Sequence, residues 1–332
     1  KLIRGAQLLQ AAMLLEMAIL VLTGHDQLWQ VLIIGFLHGL AVAVRTPARM
    51  ALTLDVVGRG RLLSATAANF AAMAIIGIVA PLLAGAVVSI ANIGWAYVIM
   101  GGAYCGAATV LFGLKVETRG RRMGGETSSP WSDFKQGFRY VSTTPIIRTL
   151  ILMALVCEVF GWAHESMLPV MARDELKVGA AGLGYLLAAA SGGGLTAMLV
   201  LSSLGDLREK GRLLVGGYGG FGLFLALFAA SRWFPPSMVL LALAYAAAVM
   251  YETAISTLLQ TVVPDEMRGR VLSFQVFTWG LTGVSGFLTG AVALALGAPV
   301  AIAIGGGVLL LNAARLAGLT SRFRGAVEEA GD

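Results

Sequence analysis

Charge is what this sequence has least of. Asp, Glu, Lys and Arg make up 13% of its 332 residues, about half the share usual in soluble domains. A water-facing surface cannot be built from so few charges, so lipid is the expected solvent for most of the chain. Cysteine is almost absent. Cys105 and Cys157 both sit inside apolar runs, which excludes a disulfide framework and a thiolate metal cluster. Three scattered histidines add no ligand set, and neither a metal nor a cofactor is expected. The net charge of +6 does not form a nucleic-acid footprint, because the basic residues are spread through short loops between apolar runs. Anionic lipid headgroups are their expected partners.

What is present is hydrophobic: 58% of residues, with 43 glycines and a mean hydropathy of +0.82. A bilayer core about 30 Å thick needs about 20 apolar helical residues. Ten such runs are expected, at 3–23, 28–48, 64–90, 93–114, 146–170, 180–204, 212–232, 237–262, 271–296 and 298–319. The last two meet at Gly297 and Pro299 and form an antiparallel hairpin. The first run is of full span length and has no small-residue cleavage site, so it does not read as a signal peptide.

Loop charge orients the chain. With its N-terminus in the cytoplasm, all of the 24 Lys and Arg except Arg173, Lys177 and Arg232 fall on the cytoplasmic side, as the positive-inside rule requires. Both ends of the chain are then cytoplasmic. A polar stretch at about 115–145 leads into Trp131, Phe134, Phe138 and Val141 at helical spacing. That pattern predicts an amphipathic helix on the cytoplasmic interface, linking two bundles. The expected organisation is an N-terminal bundle of four spans at 1–114, this linker at 115–145, a six-span bundle at 146–320 and a tail at 321–332.

The segment Arg59-Gly60-Arg61-Leu62-Leu63-Ser64 recurs as Arg268-Gly269-Arg270-Val271-Leu272-Ser273, and the same offset carries Gly77 onto Gly286. Parallel repeats of this kind characterise the two halves of major-facilitator transporters. On that offset the counterpart of residue 146 would lie about 60 residues before residue 1, room for two further spans.

Pro47-Ala48-Arg49-Met50-Ala51-Leu52, Ala68-Asn69, Val263-Pro264-Asp265-Glu266-Met267-Arg268-Gly269-Arg270-Val271, and Gly182-Leu183-Gly184 leading into Ser191-Gly192-Gly193-Gly194 resemble bacterial drug and siderophore exporters of the major facilitator superfamily, in the enterobactin-exporter and macrolide-efflux branch. The resemblance implies an all-α membrane protein of two pseudo-symmetric helical bundles, with about ten of twelve transmembrane helices present. It also implies a monomer in a bacterial inner membrane that exchanges a small amphipathic molecule for protons. Ala80-Pro81-Leu82-Leu83-Ala84-Gly85 is similar to the antiporter signature of the fifth helix, with small residues kept at Ala80, Ala84 and Gly85. The Asp-Arg-Gly loop of the family survives only loosely, as Gly205-Asp206-Leu207-Arg208.

Ionisable groups inside spans are expensive and usually face a cavity or a partner. Glu158 lies mid-span, in the helix that the resemblance makes the seventh, and is the candidate proton carrier. A structural hydrogen bond to a neighbouring helix is the competing reading. Glu252, in the span matching the tenth, is pseudo-symmetric to a position beside Arg45; the two form a candidate gating ion pair, against a simple buried pair. His38 shares a helix face with Arg45 and is a cavity candidate, as are Phe160, Trp162 and Tyr251. Arg59, Arg61, Arg268 and Arg270 are cytoplasmic-loop residues expected to bind acidic groups or headgroups. Glu16 reads as scaffold, and His164 and Glu165 as solvated residues near the outer mouth. The triplets Gly192–Gly194 and Gly305–Gly307 are not phosphate loops, since neither follows a strand or leads to a Lys-Ser/Thr pair; close helix packing is their expected role. No clustered nucleophile, base or metal set points to an enzyme. A uniporter or lipid flippase of the same fold, and a non-transporting scaffold or receptor, are the alternative readings.

Overall fold

The computed structural model describes the backbone over residues 2–57, 62–113, 130–203 and 210–317, and side chains over 5–42, 72–110, 134–203, 210–264 and 266–317. Every regular element described is helical. Nine helices among the described residues are long and apolar enough to cross a membrane. The remaining expected run, 28–48, forms a helix over Leu28–Val57 whose described apolar part is Leu28–Val42. The chain divides into two compact units, Lys1–Gly124 and Gly125–Asp332.

The first unit holds α1 (Leu2–Thr23), α2 (Leu28–Val57), α3 (Leu62–Ile90) and α4 (Ile93–Gly113). Helix α1 packs along α4 through small residues. A Cβ on Gly94 would lie 2.7 Å from Leu22, and one on Gly101 would lie 2.8 Å from Leu15. Ala11, Leu14, Met17 and Ala18 of α1 and Ala108 of α4 are buried. Gln10 is buried as well, at 0% exposure, and neither amide atom finds a partner. Glu16 is exposed, and Pro81 lies within α3.

The second unit starts with α5 (Pro130–Thr143), the amphipathic helix read from the sequence, and continues through one irregular span, Pro145–Glu175. Pro145 sits at the first helical position after the extended Thr144, where its missing N–H costs nothing. Helix α6 (Pro145–Val156) then widens into a π-turn at Cys157–Gly161 and tightens into a 3-10 helix at Trp162–Met167. A short α7 (Leu168–Val170) and a second π-turn (Met171–Glu175) complete it. Single π-turns inside α-helices often mark functional sites. The remaining helices are α8 (Gly179–Ser203), α9 (Lys210–Ala230), α10 (Phe234–Val262), α11 (Asp265–Trp279), α12 (Thr282–Leu296) and α13 (Ala298–Ala317).

Helix α9 supplies the middle of this unit. Leu214, Tyr218, Phe221, Leu225 and Phe228, at heptad spacing, are all fully buried. Glycine lets its neighbours come close: a Cβ on Gly217 would lie 2.7 Å from the Tyr251 nitrogen, and one on Gly222 2.7 Å from the Gly306 carbonyl. Gly297 adopts φ 88 between α12 and α13, a conformation that glycine enters without steric cost, and so makes the expected hairpin. The span expected at 271–296 is two helices, α11 and α12, separated at Gly280-Leu281.

Candidate carboxylate cavity

Glu158, Trp162 and Glu165 are spaced i, i+4 and i+7, so one face of the irregular span carries all three. They line an open cavity of about 200 Å³ together with Glu252 from α10, Trp279 from α11 and Thr282 from α12. Every lining residue belongs to the second unit.

Two of the carboxylates have a hydroxyl beside them. The Thr282 hydroxyl donates to Glu158 Oε2 at 3.1 Å, and the Tyr245 hydroxyl donates to Glu165 Oε1 at 2.8 Å. Glu158 is 6% exposed. Among the described residues no Lys or Arg lines the cavity, and the Arg173–Asp174 and Arg232–Glu175 ion pairs lie outside it. A buried carboxylate held by a hydroxyl keeps a ready choice between the protonated and ionised forms, because no fixed cation commits it to charge.

Aromatic rings brace this wall. Trp162 meets Tyr245 edge-on at 5.4 Å and Phe221 at 5.4 Å. His164 lies behind them at 1% exposure, with Nδ1 at 2.7 Å from the Gly161 carbonyl oxygen and Nε2 without a partner. It is a packed residue of the bundle, not the solvated one expected from its place near the end of the span. Glu165 is exposed as expected, yet it belongs to the cavity.

Of the residues singled out in the sequence, Glu158, Glu252 and Trp162 come together. Tyr251 does not join them: it is buried in the core, edge-on to Tyr218 at 5.1 Å, whose hydroxyl accepts from Asn312 Nδ2 at 3.0 Å. Phe160 lines a separate apolar crevice of about 70 Å³ with Val159, Leu288, Val292, Ile304 and others. His38, in the first unit, meets Tyr104 edge-on at 6.2 Å. Also in that unit, Gly85 is buried, Pro81 is partly buried, and Ala80 and Ala84 are exposed on α3. The side chains of Arg45, Arg59 and Arg61 lie outside the described residues. Arg268 donates to the Val263 carbonyl at 3.4 Å, and Arg270 approaches Met267 Sδ at 3.5 Å. Thr282 was not singled out in the sequence, and Glu165 was expected only as a solvated residue; Trp279 and Tyr245, aromatics that could stack on a substrate, do meet at the site. No group of three or more His, Cys, Asp or Glu among the described residues is placed to hold a metal ion.

Residues 1–330 match the family described as transmembrane secretion effectors. The chain belongs to that family. The chain is 26% identical over 291 residues to the enterobactin exporter EntS of Shigella flexneri, covering 86% of this chain and 67% of that one. It is 25% identical over 291 residues to EntS of Escherichia coli O157:H7, covering 86% and 68%. A bacterial homologue of the human lysosomal transporter Spinster, inward-facing and unoccupied, superposes with a TM-score of 0.70 at 15% identity, over 98% of this chain and 82% of that one. A POT-family transporter in complex with 5-aminolevulinic acid gives a TM-score of 0.71 at 11% identity, over 97% and 82%. The chain is thus a multi-pass, major-facilitator-type transporter with the two-bundle fold, and not an enzyme.

Proposed function

We propose that this transporter exports a small amphipathic molecule across a bacterial inner membrane in exchange for protons, by alternating access, with both chain ends in the cytoplasm. The enterobactin exporters among its relatives and the small-residue segment at Ala80–Gly85 support export by antiport. Glu158 is the proton site. The observation that carries this reading is its burial at the cavity wall with a neutral hydroxyl as its hydrogen-bond donor. A carboxylate so placed can take a proton from one side and release it to the other as the bundles rock. Glu252 lines the same cavity as Glu158 and is the proposed gating carboxylate. The indoles of Trp162 and Trp279 offer flat apolar faces to the amphipathic cargo. The transporter works as a monomer.

The test is substrate uptake into inverted membrane vesicles driven by an imposed pH gradient, with the intact protein and with Glu158→Gln. Gradient-driven uptake falls to background in the variant, while counterflow of substrate without a gradient persists. Undiminished gradient-driven uptake removes Glu158 from the mechanism.

A further inference from the structure

On α5 the aromatic and cationic residues run as two adjacent stripes. Phe134 and Phe138 form the first, at i and i+4; Lys135 and Arg139 form the second, one position further round. The rings stack on each other at 6.5 Å and close over Phe274 of α11, Phe134 at 5.1 Å and Phe138 at 6.4 Å. Gly137 lets α11 in: a Cβ there would lie 2.8 Å from the Phe274 ring and 3.3 Å from Arg270 Cβ. Even so, Phe134 and Phe138 remain 46% and 58% exposed. These are large apolar faces that α11 does not cover.

Lys135 and Arg139 are exposed and pair with no carboxylate among the described residues. Like charges at i and i+4 repel, so this face is helical at a cost unless something anionic meets it. Arg148, exposed just beyond the helix with Nη1 3.5 Å from the Ser142 carbonyl oxygen, adds a third positive charge. An exposed aromatic stripe beside an unneutralised cationic one fits a surface that is apolar below and negative above.

We propose that this face of α5 docks on anionic phospholipid headgroups, and that Phe274 passes the docked state on to α11. The relay is short. Gln275, next to Phe274, donates through Nε2 to Ser256 Oγ of α10 at 3.0 Å; one turn on, Thr278 is buried; and Trp279 lines the carboxylate cavity. A lipid-held α5 fixes α11 at its aromatic clasp and so fixes the cavity's Trp279 wall. The partner is the lipid surface, recognised by charge and by apolar depth together, which a free anion does not offer.

The experiment is amide hydrogen exchange by mass spectrometry on the full chain in nanodiscs of phosphatidylcholine alone or with phosphatidylglycerol. Two basic residues near an anionic surface shift occupancy by roughly tenfold or more. Exchange of amides 134–143 therefore slows about tenfold in phosphatidylglycerol, and amides 266–279 slow with them. In K135Q/R139Q both responses vanish, while the amides of α9 stay as protected as in the parent, which shows an intact bundle. In Phe274→Ala the α5 response remains and the α11 response is lost. Equal exchange in the two lipids, or a response that persists in K135Q/R139Q, overturns the proposal. So does the same slowing when inorganic phosphate is added to phosphatidylcholine discs, since a free anion then suffices.

Discussion

The Thr282 hydroxyl reaches across from α12 to donate to Glu158 Oε2 at 3.1 Å, joining residues 124 positions apart in the chain. The same hydroxyl lies 2.8 Å from the Trp279 carbonyl oxygen, so its one proton is divided between the carboxylate and the backbone of α11. A hydrogen bond to a charged group is worth about 1.5–3 kcal/mol, which is roughly ten- to a hundredfold in a rate that depends on it. Thr282→Val is expected to lower gradient-driven transport by about that factor, whereas Thr282→Ser retains it. The check is initial uptake rate in proteoliposomes across a series of imposed pH gradients; equal rates for Val and wild type would separate this hydroxyl from coupling.

Trp162 and Trp279 face the same cavity, so a bound aromatic cargo lies against two indoles at once. Substrate candidates that bind there are expected to quench intrinsic fluorescence. Trp162→Phe and Trp279→Phe should each remove part of the quench, and the pair nearly all of it, with the other four tryptophans of the six untouched. A titration in which the double variant quenches as fully as the parent places the cargo elsewhere.

The two glycine triplets are not uniform, and this gives a sharp comparison. A Cβ on Gly193 would lie 2.0 Å from the Ala242 carbonyl oxygen, whereas one on Gly192 meets nothing within 4 Å. Gly193→Ala is expected to destabilise the second unit by about 1–3 kcal/mol or more, since backbone must move. Gly192→Ala is expected to be neutral or slightly stabilising, because alanine is the better helix former. Thermal unfolding in detergent, followed by the appearance of buried Cys157 to a thiol-reactive dye, measures both.

Tyr218 and Asn312 form a hydrogen-bonded pair inside the core. Tyr218→Phe leaves the Asn312 amide without that acceptor, at an expected cost of about 1–3 kcal/mol. Combining it with Asn312→Leu removes both polar ends and should cost less than the sum of the two single changes. Strict additivity in that cycle, read from midpoints of unfolding, would mean that the pair is not coupled.

Much of the architecture was legible because lipid imposes it: apolar run length gave the spans, and Gly297 gave the final hairpin. The amphipathic helix was legible from Phe134, Phe138 and Val141 at helical spacing. The site was legible only in part. Glu158, Trp162 and Glu165 share a face by simple i, i+4, i+7 spacing, but Glu165 stands near the end of its span, where solvation explained it equally well. Tyr251 and Phe160, cavity candidates in the sequence, stand one and two residues from Glu252 and Glu158. Adjacent residues on a helix point about 100° apart and residues two apart about 200°, so Tyr251 turns into the core and Phe160 to the far side. Thr282 carried no local signal, because its role depends on a partner more than a hundred residues away.

The π-turn at Cys157–Gly161 packs closely against α13. The Phe160 carbonyl oxygen would sit 2.2 Å from a Cβ on Gly305, so α13 is pressed against the bend at a position where only hydrogen fits. No described residue of α13 lines the cavity, yet the helix backs the stretch that carries Glu158. A bulkier residue at 305 would have to part the two helices at the bend, so a glycine on a neighbouring helix bears on how closely the wall of the cavity is supported from behind.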